Sequence, residues 1–288
     1  MFDFLVSALT FAGLYGLMAL GLNLQAGYAG LLNFGHIAFA GLGAYATGIA
    51  IQAGYSPLAG MALGILLAMT LGWCIARLGR QLASDYWGIA TLAIAEILRV
   101  VATNEGWLTG GAQGIGAIPS MFDGVGFLVM VLVVLASAAL LCQRLAYGRF
   151  GRALRLLREE PQLAACMGYD LTALKSRAIM CGAALTAIAG SLYAHFMSFV
   201  GPDYLLASET FLLWTMLMIG GLGNIRGVLL GVLLVQAAYS LVPFAKDYLG
   251  FDTDLAGALR LGLIGVILLA CLLWRSEGLI PEQVRKIA

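Results

Sequence analysis

The sequence predicts an all-α, polytopic membrane protein with about nine transmembrane helices, and three observations support this prediction. Of its 288 residues, 61% are hydrophobic and 11% are charged, whereas ordinary soluble domains contain about 45–50% and about 25%. Apolar stretches of about 20 residues, the length needed to cross about 30 Å of hydrocarbon, recur along the whole chain. The 38 glycines fall inside these stretches, where small residues let helices approach closely in lipid. We expect a single transmembrane domain over residues 1–288.

The candidate spans follow one another in chain order, and the fourth, seventh and ninth are short. They cover residues 4–24, 34–54, 57–76, 86–102, 125–142, 178–200, 210–222, 228–245 and 260–274. Lysine and arginine are retained on the cytoplasmic side of a membrane. With the amino terminus outside and the carboxyl terminus in the cytoplasm, all but three of the 16 basic residues lie inside. If segment 210–222 were a re-entrant loop, five basic residues would lie outside, so nine spans are preferred.

The loop of about residues 143–177 faces the cytoplasm in either arrangement and is rich in arginine. Within it, Pro161 indicates a helix start, because proline at the first helical position gives up only an amide that would be unpaired anyway. Gly168 readily adopts the left-handed turn that closes a helix. We therefore predict a two-turn helix over residues 161–167, with Glu159 and Glu160 at the positive end of its dipole.

This short helix would be followed by a longer one that returns into the membrane, capped by Asp170 or Thr172. A two-turn helix is marginal alone because nucleation is costly, so we expect it to pack against another surface. A plain cytoplasmic loop that only contacts lipid headgroups is an alternative that the residues alone leave open.

Four regions of sequence, in order along nearly the whole chain, carry a family resemblance. They are GLNLQAGYAGLLNFGHIAFAGLGAY (21–45), TLAIAEILRVV (91–101) with LTGGAQGI (108–115), REEPQLAACMGYDLTALKSRAIMCGAALTAIAGSLYAH (158–195) and MIGGLGNIRGVLLG (218–231). Together they resemble the LivM-like branched-chain amino acid ABC transporter permeases. The resemblance implies a non-enzymatic subunit of an ATP-driven importer for branched-chain or other hydrophobic amino acids in a bacterial cytoplasmic membrane.

The resemblance also implies partners: a second, LivH-like permease, two cytoplasmic ATPases that bind ATP and Mg, and a periplasmic or lipid-anchored substrate-binding protein. The short helix would then be the coupling helix that docks on an ATPase. Its residues are Glu159, Glu160, Pro161, Gln162, Leu163, Ala164, Cys166, Met167 and Gly168. The broader ABC-importer pattern is Glu-Ala-Ala followed four residues later by Gly, and only Ala164 matches it here. No lysine stands in a GxxxxGK[ST] phosphate-binding loop, so we expect no cofactor in this chain.

A polar stretch between the first two spans supplies candidates for the translocation pathway: Asn23, Gln25, Asn33 and His36. Irregular backbone at membrane depth is tolerated only where protein or a water-filled cavity surrounds it. Broken helices also mark substrate sites in many transporters. The alternative, favoured by the orientation count, is a cytoplasmic turn in which Asn33 caps the second span.

The remaining polar candidates have mainly structural or contact roles. Glu96 and Arg99, three residues apart on one helix, suit an intrahelical ion pair. The outer loop 201–209 carries Asp203, Tyr204 and Glu209, which are candidate contacts for the binding protein, and Asp247, Asp252 and Asp254 are further candidates. The five cysteines form no CxxC pair, and the two histidines are far apart, so we predict no metal site.

Three other functions compete with amino acid import. Urea and short-chain amide importers have similar permeases, so the cargo stays open. An ion-coupled secondary transporter would need a buried ionisable residue near mid-membrane, and only Glu96, beside Arg99, is available. A membrane enzyme would need a convergent set of catalytic side chains, which the sequence lacks. The net charge of +1 gives no reason to expect a nucleic-acid partner, and membrane lipid is the expected surroundings.

Overall fold

The computed structural model describes residues 2–82, 84–249, 262, 265–267, 269, 270, 273 and 277–282. Eleven α-helices are described there: α1 (Phe2–Asn23), α2 (Ile37–Gln52), α3 (Pro57–Leu78), α4 (Ser84–Asn104), α5 (Gly106–Thr109), α6 (Gly124–Tyr147), α7 (Arg149–Glu159), α8 (Pro161–Cys166), α9 (Leu171–Met197), α10 (Ala207–Gly220) and α11 (Ile225–Leu249). A π-helical segment, Leu24–Tyr28, continues α1. Two short strands, β1 (Ile115–Gly116) and β2 (Phe199–Val200), pair antiparallel.

The helices confirm the predicted all-α membrane fold. In the described part of the chain, five are long and apolar enough to cross a membrane: residues 2–28, 57–78, 86–104, 124–147 and 171–197. Candidate span 260–274 lies largely outside the described residues, as do Asp252 and Asp254. Asp247 falls within α11, whose side chains beyond Ser240 are not described.

Two predicted spans are too short to cross the bilayer. Helix α2 has 16 residues and α10 has 14, which correspond to lengths of about 24 and 21 Å. Both are shorter than the roughly 30 Å of hydrocarbon. These two helices therefore traverse only part of the membrane.

The centre of the bundle is formed by α1, α2, α3 and α9, and glycines allow close packing there. The α-carbon of Gly190 on α9 lies against the Ala40 carbonyl of α2, and Gly43 lies against the Ala187 carbonyl in return. A side chain at either position would collide with backbone rather than with a flexible side chain. Small residues thus set the distance between α2 and α9, as expected for helices packed in lipid.

The two ends of the bundle collect different parts of the chain. Tyr28, Tyr147 and Gly223 line one cavity at the end that the charge pattern assigns to the cytoplasm. At the other end, Ile115 pairs with Val200, and the last turns of α2 pack against the same two residues at Gly48. Helix α1 therefore runs from the outer end to the cytoplasmic end. The position along α1 that a residue contacts indicates the depth of that residue in the membrane.

Candidate functional site

The cytoplasmic loop forms an arm made of two helices, α7 and α8. No helix was predicted from the sequence for Arg149–Glu159, although Ala153, Leu154 and Leu157 recur there at helical spacing. All three side chains are buried in the structure. Helix α7 therefore lies with one face against the membrane bundle and carries α8 at its far end.

Two arginines anchor the arm to the rest of the chain. Arg155 Nε lies 2.7 Å from Glu282 Oε1, and Arg158 Nη2 lies 2.7 Å from Glu282 Oε2. Arg158 also donates to the carbonyl of Gly27 at the end of α1, and the Arg155 guanidinium lies over the Tyr28 ring, 5.1 Å from its centre. Burial alone would lower the pKa of Arg158, but the hydrogen bonds to Glu282 and Glu159 raise it overall. Arg158 thus stays charged.

The predicted short helix is present, with small differences at its ends. It spans Pro161–Cys166, with proline at its first position, and Gly168 adopts the expected positive φ of 83°. Asp170 caps α9, because its side chain accepts a hydrogen bond from Ala173 N at 3.0 Å. Glu159 belongs to the end of α7 rather than to the start of α8, and it pairs with Arg158 at 2.9 Å.

The surface of α8 is open, and we call the exposed residues Gln162, Leu163, Cys166 and Met167 the tip. Leu163 is 50% exposed and Met167 is 64% exposed. Ala164 is the one residue of α8 that is buried. A short helix gains little stability by itself, so an exposed apolar face at the end of an anchored arm is suited to contact with another protein.

Helices α2 and α10 both begin in the middle of the membrane. Tyr15 lies about 20 Å from either end of the helix that runs from Phe2 to Tyr28, and its hydroxyl donates to Glu209 Oε2 at 2.5 Å. His36 Nε2 lies 3.2 Å from the Met18 carbonyl. The first turns of α2 and α10 therefore lie beside the midpoint of α1.

The two starting points also contact each other. Ile37 N at the start of α2 donates to Thr210 Oγ1 in the first turn of α10 at 3.1 Å. From this junction, α2 runs to the outer end and α10 runs to the cytoplasmic end. We call it the mid-membrane junction. Two helix amino termini, each the positive end of a dipole, meet at the depth where broken helices form sites in other transporters.

The pathway candidates from the sequence are all buried, and they lie between this junction and the cytoplasmic end of α1. Asn33 Nδ2 donates to Gln25 Oε1 at 2.8 Å, and Gln25 Nε2 donates to the Ile179 carbonyl at 3.2 Å. Asn23 Oδ1 accepts from Gly223 N at 2.9 Å. In this structure these amide side chains bind protein rather than an open cavity, and their role in lining the pathway stays a prediction.

The alternative of a cytoplasmic turn capped by Asn33 is wrong. Residues 33–36 re-enter the membrane, where Phe34 N donates to Thr91 Oγ1 of α4 at 3.1 Å. Asn33 Oδ1 accepts from Gly35 N at 3.0 Å instead of capping α2, and His36 occupies the capping position. Side chains from neighbouring helices satisfy the irregular backbone there, which membrane depth requires.

A cluster of three aromatic side chains beside the junction was not predicted from the sequence. The Phe34 ring lies 5.8 Å from Phe211 and 5.5 Å from Trp214. Trp214 Nε1 donates to the Asn33 carbonyl at 3.0 Å, and Phe211 is 48% exposed. The junction therefore reaches an open apolar face of the chain. The spacing of Phe211 and Trp214, three residues apart, was a signal in the sequence, but Phe34 is distant along the chain.

The other polar candidates divide into one confirmed pair and three outer-loop residues with different surroundings. Arg99 Nε lies 3.0 Å from both carboxylate oxygens of Glu96, so the predicted intrahelical ion pair is present. Asp203 is exposed. Tyr204 is instead buried and stacked on Tyr193 with ring centres 4.0 Å apart. Because the segment after β2 turns back into the bundle, Tyr204 and Glu209 lie away from the outer surface.

The described residues contain no group of three or more His, Cys, Asp and Glu side chains that could hold a metal ion. His36 and His195 lie in different places: His36 hydrogen-bonds Thr186 Oγ1 at 2.7 Å, whereas His195 Nδ1 lies 2.7 Å from the Pro119 carbonyl. Both histidines have local structural partners.

The family model and the relatives that this chain resembles are all branched-chain amino acid transport permeases. Residues 4–272 match the family model described as branched-chain amino acid transport system / permease component. A probable branched-chain amino acid transport permease protein LivM of Methanocaldococcus jannaschii is 29% identical, over 98% of this chain and 94% of the relative. The Escherichia coli high-affinity LivM permease is 26% identical over 96% of this chain and 70% of the relative.

A LivH permease and one solved structure are also similar to this chain. The Escherichia coli LivH permease of the same high-affinity system is 26% identical, over 82% of this chain and 83% of the relative. Among solved structures, PsaBC from Streptococcus pneumoniae in complex with Fab aligns with a TM-score of 0.48 at 15% identity, over 97% of this chain and 93% of that chain.

Proposed function

This chain belongs to the family of branched-chain amino acid transport system permease components, and we propose that it forms part of the pathway of an importer for those amino acids. It is a multi-pass membrane protein, and we place it in a bacterial cytoplasmic membrane. The importer is of the ATP-binding-cassette type, and a second, LivH-like permease completes the pathway. The single observation that carries the proposal within the structure is the exposed tip at the end of the anchored arm.

In the proposed machine, this chain does not bind ATP. Two partner ATPases hold ATP and Mg, and one of them docks on the tip through Leu163 and Met167. A substrate-binding protein delivers the amino acid at the outer end. Asp203, whose side chain is exposed, is the proposed contact for that protein. A permease driven by partner ATPases needs such a cytoplasmic docking surface, whereas a transporter driven by an ion gradient does not.

Contacts within the chain give a route from the tip to mid-membrane. Movement of α8 moves α7, and Arg155 and Arg158 of α7 hold Glu282. The segment around Glu282 is bonded to α10, because Ile280 N donates to the Gly220 carbonyl at 3.1 Å. The other end of α10 touches α2 through Thr210. A conformational change requires contacts that differ between two states, and this chain of contacts is where we expect them.

The test is uptake by the complete importer in proteoliposomes, with a pair of substitutions at one position. Leu163→Glu places a charge in the docking surface and should abolish ATP-driven leucine uptake and co-purification of the ATPases. Leu163→Met keeps an apolar side chain of similar volume and should retain both. Wild-type uptake by the Leu163→Glu importer would refute the docking role. Uptake of urea without uptake of leucine would instead assign the other cargo class.

A further inference from the structure

A cavity of about 250 Å³ lies at the cytoplasmic end of the bundle, between the ends of α1, α6 and α11. It is distinct from both the tip and the mid-membrane junction. Its polar lining residues are Tyr28, Gln143, Tyr147, Arg155, Asn224 and Arg226. None of the described residues that line it is acidic, so the lining offers positive charge and hydrogen-bond donors. From this cavity, we propose that the chain binds the headgroup of an anionic phospholipid of the cytoplasmic leaflet.

The charge of the cavity comes mainly from Arg226. Arg155 is neutralised by Glu282, to which its Nε donates, and its Nη1 binds the Ala146 carbonyl at 3.2 Å. Neither of these two hydrogen bonds uses Nη2, which is a further donor group of Arg155. Arg226 is exposed and makes no ion pair with any residue that the structure describes. Two guanidiniums line this cavity, and one of them has no ion-pair partner among the described residues. Such a pair is a suitable site for a phosphodiester.

The position of the cavity in the membrane favours a lipid over a soluble anion. Tyr28 ends the first span, and Tyr147 ends α6, which is also long enough to cross. The cavity is therefore level with the cytoplasmic headgroups, where tyrosine is enriched. Basic cavities between transmembrane helices on this side of a membrane are recognised sites for acidic headgroups.

The surface next to the cavity suits the acyl chains of such a lipid. Leu140 of α6 is 62% exposed and Leu233 of α11 is 47% exposed. Leu140 lies about 10 Å from Tyr147 along α6, toward the membrane centre. A phosphate held by Arg226 would thus have apolar side chains beneath it at the depth where the acyl chains begin. This inference rests on the orientation of the chain in the membrane, and it does not depend on the proposed cargo.

The experiment is a lipid titration of the purified permease pair in detergent, followed by native mass spectrometry. Phosphatidylglycerol and phosphatidylcholine with the same acyl chains are compared on wild type, Arg226→Gln and Arg80→Gln. Arg80 is an exposed arginine near the end of α3 and lies outside the cavity. We expect wild type to prefer phosphatidylglycerol and Arg226→Gln to bind it about tenfold more weakly, the loss of one charged hydrogen bond. Arg80→Gln should bind it as wild type does.

Each remaining outcome overturns the proposal. If wild type and Arg226→Gln bind phosphatidylglycerol equally, the cavity is not the binding site. If Arg226→Gln and Arg80→Gln lose affinity equally, the affinity comes from general surface charge. A parallel titration with inorganic phosphate separates the two sources of the ligand. If phosphate binding depends on Arg226 while the two lipids bind alike, the cavity holds a free anion and the assignment to lipid is wrong.

Discussion

The tip and the mid-membrane junction are both made from short or shortened helices, yet the protein surrounds them differently. Helix α8 buries one of its six residues. At the junction, His36, Thr186 and Thr210 are completely buried and hydrogen-bonded to each other or to neighbouring backbone. A short helix is stable only when other groups hold it. The difference shows that the junction is held by this chain, whereas the tip is left for a partner to hold.

Between these regions lies the link formed by Arg155, Arg158 and Glu282. It is neither open like the tip nor fully enclosed like the junction, since the Glu282 side chain is 14% exposed and the two arginines are 19% and 24% exposed. Stability should therefore be most sensitive to change in the helix packing at the junction, less sensitive at this link and least sensitive at the tip.

The largest loss of stability is expected from Gly190→Leu, next to the junction. The new side chain would collide with the Ala40 carbonyl of α2, and backbone cannot move aside as a side chain can. We expect a loss of about 3 kcal/mol or more and little monodisperse protein on size-exclusion chromatography. Gly124→Leu is the control, because a side chain there meets no atom within 4 Å. Equal yields of the two variants would contradict the close packing of α2 and α9.

The next largest effect is expected from Glu282→Gln at the link. The substitution leaves Arg155 and Arg158 partly buried without their shared carboxylate. Breaking such a pair in this partly exposed setting should lower the free energy of unfolding by about 1–3 kcal/mol. This loss is measured as a lower thermal midpoint of the two purified permease subunits. Glu160→Gln makes the same chemical change at an exposed position and should leave the midpoint unchanged.

The same two regions show what sequence reasoning could and could not find. Helix α8 was predictable because its signals are local: Pro161 starts it, Gly168 ends the turn and Asp170 caps the next helix. The junction was not predictable, because apolar length gives a span but not the depth at which it starts. That depth is set by contacts such as Ile37 with Thr210, which are distant in sequence. Helix α7 had a helical pattern of apolar residues, but its arginines are equally typical of a cytoplasmic loop without a helix.

A smaller effect is expected from Thr186→Val within the junction itself. The Thr186 hydroxyl bonds His36 Nε2 at 2.7 Å and its own helix at Gly182, so valine leaves the imidazole with one partner fewer. We expect a loss of about 1 kcal/mol, seen as a lower thermal midpoint. Thr70→Val is matched to it, since that exposed hydroxyl bonds within its own helix, to the Leu67 carbonyl. A drop as large for Thr70→Val would mean that the network contributes nothing specific.

The smallest effect on stability is expected from Leu163→Glu at the tip. Leu163 is half exposed, and surface substitutions usually change the free energy of unfolding by less than about 0.5 kcal/mol. The thermal midpoint of the permease pair, measured without ATPases, should therefore match wild type, even though uptake by the complete importer is lost. A clear drop in the midpoint would show that Leu163 packs within the membrane subunits. The contrast between tip and junction would then fail, because both would be held from inside the permease pair.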